Sequence, residues 1–98
     1  MAIVSTLNEN ESKVLSSIYR HCDSYEGNAI YFRTIEKDTG FETKVVRRAC
    51  RSLAKKGLAE YRSGLFSEEG ETAGSGYGIT KVGESLGKDL GFEKLLEL

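Results

Sequence analysis

Two short apolar stripes, each followed by a glycine, set the strongest limit on how residues 32–58 fold. The segment FRTIEKDTG places Phe32 and Ile35 three residues apart, which predicts a helix of about two turns with both side chains on its inner side. Gly40 and Gly57 stand where the two stripes end, and glycine is the usual residue for the left-handed conformation that closes a helix. The segment between these glycines predicts a second helix, whose inward residues are Val46, Ala49, Cys50 and Leu53.

The flanking residues predict one further helix on each side and three strands. Asn8 and Glu11 fit a capping box at the start of the first helix, and Thr80 fits the N-cap of the last. Residues 29–32, 59–66 and 77–80 have strand-like composition, and the segment SEEGETAGSG is expected to form an extended hairpin loop. The expected order is helix, strand, helix, helix, strand, strand, helix in one α+β domain of residues 1–98. The inward stripe of the first helix is Val14, Leu15, Ile18, Tyr19 and Cys22.

The residue composition argues against most enzyme classes. With one histidine and two cysteines in 98 residues, the chain has no set of soft ligands at metal-binding spacing, and a nucleophilic mechanism would depend on His21 alone. Cys22 and Cys50 are expected to be reduced core residues. No apolar run is long enough to span a membrane, and residues 1–10 lack the pattern of a signal peptide. We therefore expect a cytoplasmic protein that is not an enzyme and has no metal or cofactor.

Charge is distributed unevenly along the chain, although the net charge is only −1. Residues 33–62 carry nine bases and four acids, a net charge of +5, whereas residues 1–32 carry −2 and residues 63–98 carry −4. A basic block in an otherwise acidic chain indicates a binding partner that is negatively charged.

The residues around Gly40 and Gly57 resemble the core of a winged helix-turn-helix domain of the MarR-type and related bacterial and phage regulators. Tyr77-Gly78-Ile79-Thr80 followed by Gly83 is similar to the strand that leaves the wing and caps the next helix. The resemblance implies a helix-turn-helix at about residues 32–57, a wing at about 59–80 and a C-terminal helix at about 81–97, around a three-helix core. The residues that carry it are Phe32, Ile35, Thr39, Gly40, Phe41, Val46, Leu53, Lys56, Gly57 and Leu58.

The resemblance also implies a function, which is that of a sequence-specific transcription regulator whose second motif helix enters the major groove of double-stranded DNA. Thr43, Lys44, Arg47 and Arg48 match positions that face DNA, with Arg51 and Lys55 nearer the phosphates. We expect Arg47 to read base edges, because it lies one turn from Thr43 and Lys44, near the start of the helix. Arg48 and Arg51 form a row that is more suited to contact with the DNA backbone. The alternative is that these six side chains are only the solvated face of a surface helix.

The wing departs from the family pattern, because its tip is acidic. Glu68, Glu69 and Glu71 stand there, and no basic residue lies between Arg62 and Lys81. One interpretation is that the wing stays clear of DNA, with Arg62 at its base as the only phosphate contact; another is a plain solvated loop. A third is that the acidic surface binds a basic protein, which would make the chain a protein-interaction module, such as an accessory or anti-defence protein of a mobile element.

We expect a homodimer, because a lone winged helix would contact few phosphates. The first helix and the apolar residues at the end of the sequence are expected to form the contact between the two copies. A tail folded back onto its own domain would explain them equally well. The tyrosines at 19, 25, 31, 61 and 77 could form a stacking platform for single strands, but their placement on inner faces favours the core. Gly83, Gly87 and Gly91, spaced by four, would align on one face and let another helix approach, although Gly91 could equally be a helix stop. The apolar residues of the tail are Leu90, Phe92, Leu95, Leu96 and Leu98.

Overall fold

The structure is a computed structural model that describes residues 7–22, 29–66 and 72–94. Its helices are α1 (Glu9–His21), α2 (Phe32–Thr39), α3 (Thr43–Lys55) and α4 (Lys81–Asp89), and its strands are β1 (Ile30–Tyr31), β2 (Ala59–Phe66) and β3 (Thr72–Ile79). This order confirms the predicted α+β arrangement of a helical core with a β-hairpin and a last helix. None of the helices in these ranges is long and apolar enough to cross a membrane.

Local signals at the helix ends act as the sequence predicts. The Asn8 side chain accepts from the Glu11 backbone N–H at 2.7 Å, and the Glu11 carboxylate accepts from the Asn8 N–H at 3.0 Å, which is a complete capping box. Gly40 and Gly57 both have φ of 77°, so both helices end in the left-handed conformation that favours glycine. The Thr80 hydroxyl accepts from the Gly83 N–H at 3.0 Å and begins α4.

The three strands form an antiparallel sheet in the order β1-β3-β2. Tyr77 lies opposite Ile30 on one side and Tyr61 on the other. The expected strand of residues 77–80 is too short, because β3 begins at Thr72 and Thr80 is the helix cap. Pairing with β2 satisfies the backbone hydrogen-bonding groups of this glycine-rich stretch. The stretch therefore forms a strand, although glycine has a low strand propensity. At Gly76 a side chain would strike the carbonyl group of Ile30.

The core lies between α1, α2, α3 and the inner face of the sheet. Its fully buried members come from α1, α2 and α3, from the residue that follows α1 and from the turn after α3, and both cysteines are free and buried. Tyr19 and Tyr77 belong to it, as predicted, whereas Tyr61 is 54% exposed, so its predicted core position is wrong. Tyr31 is half-buried, and Tyr25 lies outside the described residues. The largest fully buried side chains are Leu15, Ile18, Ile35, Leu53 and Leu58.

The C-terminal helix is shorter than the predicted range of residues 81–97, because α4 ends at Asp89 and Gly91 takes a φ of 82°. The chain then turns back onto α1. The Phe92 ring meets the Tyr19 ring edge-on at 5.9 Å, and the Lys94 ammonium donates to the carbonyl oxygens of Tyr19 at 3.0 Å and Cys22 at 2.5 Å. As far as Lys94, the tail therefore packs on its own domain; Leu95, Leu96 and Leu98 lie outside the described residues.

Two glycines bring α4 close to its neighbours. A side chain at Gly83 would strike the Leu58 carbonyl oxygen, and one at Gly87 would strike the Tyr19 ring. Both residues are buried, and Gly87 faces α1 as the glycine spacing predicts. Gly83 instead faces the turn after α3, and Gly91 ends the helix, which is the alternative that the sequence left open.

Candidate nucleic-acid interface

The exposed side of α3 carries five cations and one hydroxyl. Because successive residues of a helix are about 100° apart, Lys44, Arg48 and Lys55 point away from the core, while Arg47 and Arg51 lie on the flank toward the hairpin. All five cationic side chains are exposed. None of them forms an ion pair with another described side chain, so their charge is available to a partner in solution. We call these residues, Lys44, Arg47, Arg48, Arg51 and Lys55, the basic face.

Thr43, the sixth predicted residue of this helix, is exposed but already has a partner. Its hydroxyl donates to the Glu36 carboxylate of α2 at 2.7 Å. This bond ties the first turn of α3 to the preceding helix, so Thr43 helps to set the angle between the two helices. A second contact in the turn comes from Thr39, whose hydroxyl donates to the Ile35 carbonyl at 2.7 Å and accepts from the Phe41 N–H at 3.2 Å.

A buried carboxylate holds the other end of α3. Glu11 of α1 is only 5% exposed, and it accepts from the Ser52 hydroxyl and from the Lys56 ammonium, the latter at 2.7 Å. Burial alone would raise the pKa of Glu11, but the hydrogen bonds from Lys56, Ser52 and the Asn8 backbone, with the charge of Lys56, hold that pKa below its usual range. The carboxylate therefore stays ionised and fixes α3 against α1.

A cleft with a cavity volume of about 330 Å³ lies between α3 and the base of the hairpin, and its lining was not foreseen from the sequence. The Arg47 guanidinium lies over the Phe32 ring at 5.1 Å from its centroid. Tyr77 contacts Phe32 and Tyr61 edge-on, with centroid distances of 5.8 and 5.5 Å. Burial raises the pKa of Tyr77, which keeps its hydroxyl neutral. The lining residues are Phe32, Arg47, Arg51, Tyr61 and Tyr77.

Arg62, the predicted phosphate contact of the wing, does not join this cluster. It lies opposite Gly76 in the sheet, next to Tyr61 in sequence, so its side chain points to the other face of the hairpin. Its guanidinium donates to the Glu60 carboxylate at 3.0 Å. Tyr61 is therefore the residue of this strand that faces the cleft. The acidic residues Glu68, Glu69 and Glu71 lie outside the described residues.

The other reactive side chains of the described residues include two cysteines and one histidine. Burial raises the pKa of Cys22 to about 11 and that of Cys50 to about 12, so both thiols stay protonated. His21 is half-buried, and its Nε2 lies 2.8 Å from the Asp38 carboxylate, which also accepts from the Ser17 hydroxyl at 2.8 Å. Across residues 7–22, 29–66 and 72–94, no group of three acidic, histidine or cysteine side chains is placed to hold a metal ion.

Solved structures of three proteins share this architecture. A protein from Ralstonia eutropha JMP134, described as a candidate DNA-binding protein, aligns with a TM-score of 0.67 at 18% identity and covers 87% of this chain and 98% of its own. A MarR family regulator from Neisseria meningitidis aligns with a TM-score of 0.61 at 21% identity over 91% of this chain. MepR from S. aureus, in its DNA-binding conformation, aligns with a TM-score of 0.63 at 16% identity over 89%.

This chain has the winged helix-turn-helix fold. In that fold α2 and α3 are the helix-turn-helix and the hairpin of β2 and β3 is the wing. The chain spans 56% of the Neisseria regulator and 58% of MepR, so those two proteins contain further structure. No protein-family model and no curated protein matches the sequence.

Proposed function

We propose that the chain is a transcription regulator that binds double-stranded DNA sequence-specifically, with α3 in the major groove. The observation that carries the proposal is the basic face, five exposed cations without ion-pair partners among the described side chains, on the second helix of a helix-turn-helix. Exposed cations at this density repel one another, and phosphates remove the repulsion. An α-helix also fits the width of the major groove.

Comparison with known structures supports the same function. The Neisseria neighbour is a MarR family regulator, and MepR was solved in a DNA-binding conformation. The proposal further includes a homodimer, since a single domain with one recognition helix contacts few phosphates and a two-fold dimer doubles that number.

The salt dependence of binding tests the proposal, because each phosphate contact adds about −0.9 to the slope of log affinity against log salt concentration. Fluorescence anisotropy would be measured on a pool of random duplexes at several salt concentrations. If the basic face neutralises three to five phosphates, each domain is expected to contribute a slope of about −3 to −5. Affinity without salt dependence, or no affinity at low salt, would contradict the proposal.

Two matched double variants assign the effect to α3. Lys44→Ala with Lys55→Ala removes two exposed lysines of the basic face, one near each end of α3. Lys81→Ala with Lys88→Ala removes two exposed lysines near the ends of α4, which packs on α1. The change in net charge is the same in both. Only the first variant is expected to reduce the slope, by about 2.

A further inference from the structure

We propose that the cleft between α3 and the wing binds one phosphodiester of the DNA backbone, held by Arg47, Arg51 and Tyr61, and that Arg48 reads the bases. The inference rests on the proposed function and assigns roles within it. It also exchanges the roles expected of Arg47 and Arg48 from the sequence, because the structure places the Arg47 side chain at the wall of the cleft and not at the outermost line of α3.

The two arginines of the cleft suit a phosphate. Arg47 and Arg51 are one turn apart on the same flank of α3, so their guanidinium groups reach the same space. A guanidinium can offer two parallel N–H donors to a phosphate. Neither arginine has an ion-pair partner among the described side chains, and the lining contains no carboxylate that would compete with an anion.

Aromatic rings hold these donors in place. The Phe32 ring beneath Arg47 attracts its guanidinium and limits its rotation. Phe32, Tyr77 and Tyr61 form a series of edge-on contacts that joins the start of α2 to the wing. Tyr61 is the exposed end of this series, and its phenol adds a hydroxyl donor to the cleft. The neighbouring Arg62 points to the opposite face of the hairpin. Phe32 and Tyr77 are positioning residues.

Arg48 occupies the line of α3 that faces away from the core. It is two residues after Val46 and two before Cys50, both fully buried, and two residues along a helix correspond to a rotation of about 200°. Arg47 is about 100° from Val46 and therefore lies beside the core stripe. When a helix enters the major groove, the side chains opposite its core face reach deepest, which gives Arg48 access to guanine O6 and N7.

Binding selection from random duplexes separates the two roles. Arg47→Ala, Arg51→Ala and Tyr61→Phe are expected to select the same sequence as the wild type, while each arginine variant binds selected and scrambled duplexes alike about 10-fold more weakly. Arg48→Ala is expected to lose preference at one base pair and to lose about 5- to 150-fold on the selected duplex only. Arg20→Ala, an exposed arginine of α1, is the control and should match the wild type.

A duplex with single neutral methylphosphonate linkages tests the phosphate directly. The wild type should bind more weakly when one particular linkage of each half-site is neutral. Arg47→Ala with Arg51→Ala should be insensitive to that same substitution, because the interaction is already lost. A variant with only a structural defect would keep the sensitivity.

Other results would overturn the inference. If Arg47→Ala changes the selected sequence and Arg48→Ala does not, the two roles are reversed. If the double arginine variant is weakened by neutral linkages at all the positions that weaken the wild type, the cleft holds no phosphate. Both of these results leave the proposed function standing, whereas a wild type without salt-dependent affinity for DNA contradicts the proposed function itself.

Discussion

Replacing Glu11 by Gln should destabilise the fold, although the change is small in volume. The Glu11 carboxylate accepts from the Lys56 ammonium at 2.7 Å, from Ser52 and from the Asn8 N–H at 3.0 Å, and the residue is 5% exposed. Gln is neutral, so the Lys56 ammonium loses the negative charge of Glu11 in a half-buried site. A hydrogen bond to a charged group contributes about 1.5 to 3 kcal/mol, and breaking a buried pair costs about 3 to 5 kcal/mol. Because the Lys56 side chain is 27% exposed, we expect a loss of about 2 kcal/mol.

The pH dependence gives this prediction a signature. The pKa of Glu11 in the folded chain is below its ordinary value of 4.5, so the stabilisation is complete above pH 4.5 and is lost as the pH falls through the folded pKa. The difference in unfolding free energy between the wild type and Glu11→Gln should therefore be largest at neutral pH and shrink at pH values below 4.5. Urea denaturation followed by circular dichroism at several pH values measures it.

Glu9→Gln is the matched control, because Glu9 begins the same helix and also has a lysine partner, with 3.4 Å between Glu9 Oε2 and Lys13 Nζ. Unlike Glu11, the Glu9 side chain is 81% exposed. It should change the unfolding free energy by less than about 0.5 kcal/mol. Equal losses for the two variants, or a Glu11→Gln loss that does not depend on pH, would refute the account of a buried charge network.

Three further predictions follow from packing and charge. Gly83→Ala should destabilise the fold by about 1 to 3 kcal/mol, because the new Cβ would strike the Leu58 carbonyl oxygen. Ser85→Ala, on the exposed side of α4, is the control and should leave the stability unchanged in the same thermal unfolding experiment. Changing Glu68, Glu69 and Glu71 to Gln should leave DNA affinity in the anisotropy assay unchanged or raise it, because acidic groups repel phosphates, and a clear fall would show a positive role for the wing tip. Light scattering should find a dimer at the concentrations that bind DNA; a monomer there would contradict the homodimer.

The sequence predicts most of the fold because its helix ends carry strong local signals. The Asn8–Glu11 capping box and the glycines at 40 and 57 each act within one or two turns of chain, so neighbouring residues suffice to identify them. The predicted start of β3 and the predicted end of α4 were wrong, because both depend on residues that are distant in sequence. The first depends on pairing with β2, and the second on a turn that returns Phe92 to Tyr19, far away in sequence.

The candidate site was predicted less completely than the fold. Charge and helical spacing identify the basic face, since both properties belong to one helix. The cleft joins Phe32, Arg47 and Tyr61 from three elements, and no spacing along the sequence brings these residues together. One signal was available: strand alternation places Tyr61 and Arg62 on opposite faces, so only one of them can lie toward α3. The burial of Glu11 could not be predicted from the sequence, because the capping box alone already explains a glutamate at this position.

The most direct test of the central claim is to map the DNA-contacting surface of the protein by NMR. Backbone amide shifts of the labelled protein would be followed while a short duplex is added. We expect the largest changes in Thr43–Lys55 and at Tyr61, with small changes along Glu9–His21 and Lys81–Asp89, which lie away from the basic face. Changes concentrated in the first and last helices, with the amides of Thr43–Lys55 unmoved, would contradict the claim that the basic face binds DNA.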